Sequence, residues 1–150
     1  MVGSQTISDS YNLQRFVDAQ NPVYPRVLEE LRAGHKQSHW IWFIFPQIKG
    51  LGSSAMNERF SISSRHEAAA YLAHPVLGPR LHECTSLVNL IQGRSAHDVF
   101  GYPDDLKFRS SMTLFANVAP DNAAFTEALA RYYDSEPDPR TLELLRVGPL

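Results

Sequence analysis

The chain of 150 residues has a single cysteine, Cys84, so no internal disulfide can form and the fold must rest on packing. Long apolar runs are missing too. The strongest, Trp40 to Phe45, falls far short of the ~20 residues that cross a bilayer, so no membrane contact is expected. Neither sign of charge dominates: 14 Lys and Arg stand against 16 Asp and Glu, a formal net charge of -2. The basic residues are scattered, which argues against nucleic-acid binding. Met1 to Ser10 is polar where a secretory leader is apolar. These absences predict a cytoplasmic, bacterial-type protein. Low-complexity linkers, charge blocks and internal repeats are absent as well, so residues 1–150 are expected to form one domain, with 1–10 as a loosely ordered arm. A chain of this size buries roughly 68–70% of the surface its unfolded form exposes, enough for a core without metal or disulfide.

What the sequence does contain is concentrated. Ser38-His39-Trp40-Ile41-Trp42-Phe43-Ile44-Phe45-Pro46-Gln47 holds both tryptophans and two of the eight phenylalanines. A segment apolar on every side must be buried all round, which makes residues 39–46 the expected centre of the fold, with polar His39 and Gln47 at its edges. Aromatics and isoleucine favour a strand here, but no other alternating segment could pair with it, so a short buried helix ending near Pro46 is expected.

The flanking segments read as helices. Leu13 to Ala19 is one, and Pro25 opens a second that Gly34 stops. Ser64 and Glu67 form a capping box ahead of an alanine-rich stretch that ends before Pro75. Leu77, Leu81, Cys84, Val88 and Ile91 alternate at spacings of four and three, an amphipathic helix with Gly93 as its terminator. Asp104 or Pro103, then Asp121, then Asp138 with Pro139, open three more. The predicted fold is mainly α: a single compact multi-helix domain around the Trp/Phe-rich segment.

Several motifs point toward chemistry. Gly50-Leu51-Gly52-Ser53-Ser54-Ala55 matches Gly-x-Gly-x-x-Ala but lacks the strands that give that fingerprint meaning. The loop is either a tight packing turn or an anion cradle in which the amides at Gly50 and Gly52, Lys49 and the Ser53 and Ser54 hydroxyls hold a phosphate. Asp104 to Thr113 mixes acids, bases and hydroxyls. It reads either as a solvated face with Asp105–Arg109 and Asp104–Lys107 pairs, or as an inward surface placing Lys107, Arg109, Ser110 and Ser111 on an anionic ligand. The six histidines lack metal-ligand spacing, and neither a metal nor a cofactor is expected. Cys84 lies on an apolar stripe, the setting of a buried structural thiol. No nucleophile elbow, phosphate-binding Walker loop or kinase signature occurs. Trp40 and Trp42 are either core or a stacking platform for a flat base.

Several strings carry a resemblance: the Ser38 to Gln47 run; Lys49-Gly50-Leu51-Gly52-Ser53-Ser54; Glu67-Ala68 with Tyr71-Leu72-Ala73-His74-Pro75-Val76-Leu77-Gly78 and Arg80-Leu81; and Lys107 to Phe115. With these the chain resembles the bacterial domain-of-unknown-function family 1810 over about Asn12 to Leu145. Some members of that family are labelled calpastatin, which does not suit a sequence so rich in core aromatics, since that inhibitor is disordered. The resemblance implies a mainly helical single domain and no particular reaction. A fainter similarity is to helical domains that process ADP-ribose derivatives, and it implies Glu67, Trp42 and Asp105 as the acidic and stacking groups of a nucleotide pocket.

The resulting expectation is a helical domain that binds or processes a phosphorylated or nucleotide-derived small molecule. Lys49, the Gly50 to Ser54 loop, Lys107 and Arg109 would take the anion, with Ser110, Ser111 and Gln47 beside it and Trp42 or His39 against the base or sugar. For chemistry, Glu67 or Asp105 would be general base and His39 an acid or proton carrier. The alternative is a non-catalytic interaction module, a homodimer built on Tyr132 and Tyr133 or on Phe100 and Tyr102.

Overall fold

The computed structural model describes residues 9–148. The expected arm at 1–10 lies outside them, apart from Asp9 and Ser10. Ten helices follow in order: α1 Gln14–Gln20, α2 Tyr24–Arg32, α3 Ile41–Ile44, α4 Ala55–Phe60, α5 Arg65–Ala73, α6 Leu77–Leu90, α7 Ala96–Phe100, α8 Asp104–Ala116, α9 Ala123–Tyr133 and α10 Pro139–Val147. The mainly helical prediction is met, and no helix among the described residues is long and apolar enough to cross a membrane.

The Trp/Phe run is the centre. Its helix is a single turn, because Pro46 follows at once and holds the preceding residue out of the helical region. Helix α3 packs against α1, α4, α6 and α8, so each of its sides meets a different partner. Ring contacts radiate from it in two directions. Phe45 meets Phe108 at 4.8 Å and Phe100 at 6.1 Å. Phe43 meets Phe60 at 5.3 Å, and the chain continues through Phe16 and Tyr71 to Phe115 and Phe125. Such tilted and edge-on pairs add about 0.5–1.5 kcal/mol each beyond the area they bury.

Around this centre α8 is the most deeply set helix, with Phe108 and the stretch Ser110 to Phe115 buried against α7, α9 and α10. The α6 stripe is buried at Leu77, Leu81, Cys84 and Val88 and packs on α2, α5 and α9. Its terminator differs from expectation. The helix ends at Leu90 with extended Ile91 as cap, and Gly93 makes its positive-φ turn two residues further on. Gly34, in contrast, does follow the end of α2 in the left-handed conformation that glycine adopts freely.

The box at Ser64 is half made. Its hydroxyl accepts from Glu67 N at 3.1 Å, but the Glu67 carboxylate turns to Ser63 and Arg15, not back to the Ser64 amide. Beyond α3 the chain makes one parallel bridge, Ile48 to Ile62: Ile62 N donates to Gln47 O and Lys49 N to Ile62 O, both at 2.8 Å. That bridge lays residues 47–49 beside 61–63 and positions the site described next.

Candidate functional site

The residues singled out from sequence fall into separate places. Trp42, Gln47 and Lys107 come together, with Asn57, Ser61, Met56, Ile41, Phe45 and Phe60, around a space of only about 10 Å³. That is roughly the minimum for one water molecule and far below a ligand pocket. The Lys107 ammonium stands 5.5 Å from the Trp42 ring centre and 3.6 Å from Asp104, while Gln47 donates to Asn57 at 3.1 Å. Asp104 also holds Lys36 at 2.7 Å, and Lys36 in turn sits 5.1 Å from the Trp40 ring. One carboxylate therefore clamps two lysines, each over a different tryptophan.

The same seam continues into α2. Glu30 is 9% exposed, and its carboxylate accepts four hydrogen bonds: from Gln37 N, Ser38 N, Ser38 Oγ and Trp40 Nε1, at 2.7 to 3.1 Å. Burial alone raises its pKa, but the four donors outweigh that and hold it at about 2. Nothing in the sequence marked Glu30, because its partners lie on an irregular loop.

The Asp104 to Thr113 segment is turned mostly to structural use. Arg109 donates to Glu136 O at 3.0 Å and Pro137 O at 3.1 Å and lies 5.7 Å from the Tyr133 ring, anchoring the loop between α9 and α10. Ser110 donates to Leu106 O within its own helix, and Ser111 Oγ is buried without a partner. Asp105 accepts from Leu106 N at 2.9 Å and stands 3.8 Å from His97, not beside Arg109. Its backbone carbonyl accepts from the Tyr133 hydroxyl. Tyr132 likewise donates to Val88 O at 2.6 Å, so both tyrosine hydroxyls bond within the fold; Phe100 is buried and Tyr102 is exposed. His39 is exposed and lines none of these spaces. Burial pushes the Cys84 thiol up to about 12, which leaves it protonated and inert at neutral pH.

The Gly50 to Ser54 loop is held between α10 and α4. Gly50 has φ 108 and rests on Leu144, and a β-carbon at Gly52 would collide with the Asn57 amide. Ser54 caps α4 by accepting from Asn57 N at 3.2 Å, and Ser53 is exposed beside it. Gly50, Gly52, Ser53 and Ser54 line neither of the spaces that Lys49 borders.

Lys49 and Glu67, however, do share one. A cleft of about 380 Å³ runs between the start of α1 and the bridged strands of chain, lined by Ser10, Tyr11, Asn12, Arg15, Lys49, Glu58, Arg59, Ser61, Ser63 and Glu67. Its floor is the Arg15–Glu67 pair at 2.9 Å. Both partners are saturated. Glu67 also accepts from Ser63 N at 2.8 Å and Ser63 Oγ at 2.7 Å. Arg15 donates further to the carbonyls of Tyr11, Asn12, Arg59 and Ser61 at 2.6 to 2.9 Å. At the rim Lys49 and Arg59 are exposed, and neither pairs with a carboxylate among the described residues. Arg15, Arg59 and Ser63 were not singled out from sequence; they meet Lys49 only through the Ile48–Ile62 bridge. No group of three or more His, Cys, Asp or Glu able to hold a metal occurs among the described residues.

Fold and site together define a helical protein with a cation-rimmed cleft over a neutralised floor. The family model described as "Protein of unknown function (DUF1810)" matches residues 10–145, and the chain belongs to that family. Among solved structures, the crystal structure of the conserved hypothetical protein Rv1873 from Mycobacterium tuberculosis is similar, with 59% identity and a TM-score of 0.92, covering 93% of this chain and 99% of that one. Curated proteins yield no significant match.

Proposed function

We propose that this protein binds a phosphorylated small molecule in the cleft between α1 and the 47–63 segment, with the anion held at the rim by Lys49 and Arg59. The observation that supports this is the contrast inside the cleft: Arg15 and Glu67 cancel each other on the floor, while Lys49 and Arg59 pair with no carboxylate among the described residues and outnumber Glu58, the one other acid of the lining. Charge-assisted hydrogen bonds from such groups to phosphate oxygens are stronger than neutral ones, and at exposed positions like these each is worth up to about 1 kcal/mol after solvent screening. The volume of about 380 Å³ falls in the range of small-molecule sites. Glu67 serves here as the anchor of Arg15, and the function is one of binding.

The test is thermal unfolding against inorganic phosphate, sugar phosphates, ADP-ribose and nucleotides, because a ligand at ~100 times its dissociation constant stabilises by about 2.7 kcal/mol. For a chain of this size that raises the Tm by roughly 5–10 °C. The shift should vanish in Lys49→Gln/Arg59→Gln and persist in Lys107→Ala/Arg109→Ala after correction for the lower starting stability. Loss of the shift in the second pair and retention in the first would move the site to α8. Absence of any shift across the panel would favour the interaction-module reading.

A further inference from the structure

The cleft does not end at Lys49. The same residue and Ser63 also line an adjoining recess of about 210 Å³, whose other walls are Ile48, Ser64, Arg65, the α10 residues Leu144, Leu145 and Val147, and Gly148 just after that helix. The two halves differ in chemistry. The cleft presents two arginines, a lysine, the carboxylates of Glu58 and Glu67, asparagine, hydroxyls and the ring of Tyr11. The recess presents four aliphatic side chains beside Lys49, Arg65 and two serines, and no aromatic ring on which a nucleobase could stack. Its volume is roughly that of seven waters at about 30 Å³ each, too small for a folded partner and suited to a short chain.

Accepting the anion site just described, we infer that the ligand is an anionic amphiphile: a phosphate-bearing head at Lys49 and Arg59, joined to a short aliphatic tail that enters the recess past Lys49 and Ser63. Charge sets the direction in which such a molecule lies. The head is drawn to Lys49 and Arg59, which pair with no carboxylate among the described residues, and the tail leaves water against Ile48, Leu144 and Val147. Val147 is 59% exposed and Leu144 half-buried, so the fold leaves part of this aliphatic wall uncovered for an apolar group to complete. Lys49 is the hinge of the arrangement, because its stem can lie along the apolar side while its ammonium faces the head.

A ladder of methyl, n-butyl and n-hexyl phosphate, with inorganic phosphate and AMP alongside, tests the inference by NMR titration of the full chain. Each methylene that leaves water should tighten binding roughly fourfold, so hexyl phosphate should bind at least tenfold better than methyl phosphate. Val147→Ser should remove part of that gain without changing the affinity for inorganic phosphate, and Leu144→Ser should remove more. Val147 lies on the surface, so its variant folds even if the Leu144 variant does not. Equal affinity along the ladder, or AMP binding as tightly as hexyl phosphate, would overturn the aliphatic tail and leave the anion site standing. Silence toward every phosphate, inorganic phosphate included, would overturn the anion site itself and the tail with it.

Discussion

The tryptophan seam and the Lys49 cleft are built from similar groups arranged to opposite effect. In the seam, Glu30 meets four donors, Asp104 meets two lysines, and each lysine covers a tryptophan. Each of these charges has its complement within the fold; the space beside Trp42 is about 10 Å³, and the outer groove of about 470 Å³ that Glu30, Gln37 and Ser38 also line meets a carboxylate whose acceptors are already taken. In the cleft three cations, Arg15, Lys49 and Arg59, stand against two carboxylates, Glu58 and Glu67, only Arg15 and Glu67 pair with each other among the described residues, and the space is about 380 Å³. A charged residue near an aromatic run is thus not a sign of a ligand. What separates a clamp from a site is whether the partners of the charge are already present.

The largest expected effect breaks the seam. Glu30→Ala removes the acceptor of four donors at once, one of them the buried Trp40 indole, and should lower stability by about 2–4 kcal/mol. At roughly 2–4 °C per kcal/mol the Tm would fall by about 5–15 °C, read by circular dichroism. A fall under 2 °C would mean that the loop from Gln37 to Trp40 is held by packing alone.

Acid should do more slowly what that mutation does. The folded pKa of Glu30 is about 2 against an ordinary 4.5, so its contribution is fully present above pH 4.5 and is lost as the pH falls toward 2. Allowing for solvent screening at its exposed edge, the loss is on the order of 2 kcal/mol. Urea unfolding from pH 7 down to pH 2.5 should therefore show a steeper decline for the wild type than for Glu30→Gln. Parallel curves would place the acid sensitivity elsewhere.

The two regions also differ in how far the sequence reveals them. The burial of the Trp40 to Phe45 run, the stripe Leu77 to Val88 and the Pro25 and Pro139 helix starts are local patterns, and each survives in the structure. Helices α4 and α7 were hidden because six and five residues do not complete two turns, so no periodicity can appear. Glu30 looked like any charge near a helix end, and its partners lie on a loop where spacing carries no information. The cleft gathers residues from 10–15, 47–49 and 58–67, and what unites them is one two-bond bridge between segments that show no strand pattern. Lys49 was legible from its place beside Gly50; Arg59 and Arg15 carried no mark at all.

A smaller effect separates α8 from the cleft. Arg109→Ala deletes two hydrogen bonds to the loop carbonyls of Glu136 and Pro137 and should lower stability by about 1–2 kcal/mol. Arg109→Lys should not restore it, because a single ammonium cannot reproduce the planar fork that reaches both oxygens. Phosphate affinity should be unchanged in either variant, and a tenfold loss would make Arg109 part of the site.

The smallest change in stability should accompany the sharpest change in binding. Lys49 is exposed and pairs with no carboxylate among the described residues, so Lys49→Gln should leave the unfolding free energy within about 0.5 kcal/mol of the wild type. The backbone amide that bonds to Ile62 O is retained in this variant, so the bridge and the cleft's shape persist. The lost charge-assisted bond should nevertheless weaken phosphate binding about threefold to fivefold, with a smaller salt dependence in what remains. A residue that holds the fold moves stability first and binding second; a residue kept for a ligand does the reverse. Stability and affinity falling together in Lys49→Gln would place Lys49 with Glu30 and Asp104 as one more internal clamp, and the distinction between seam and cleft would be lost.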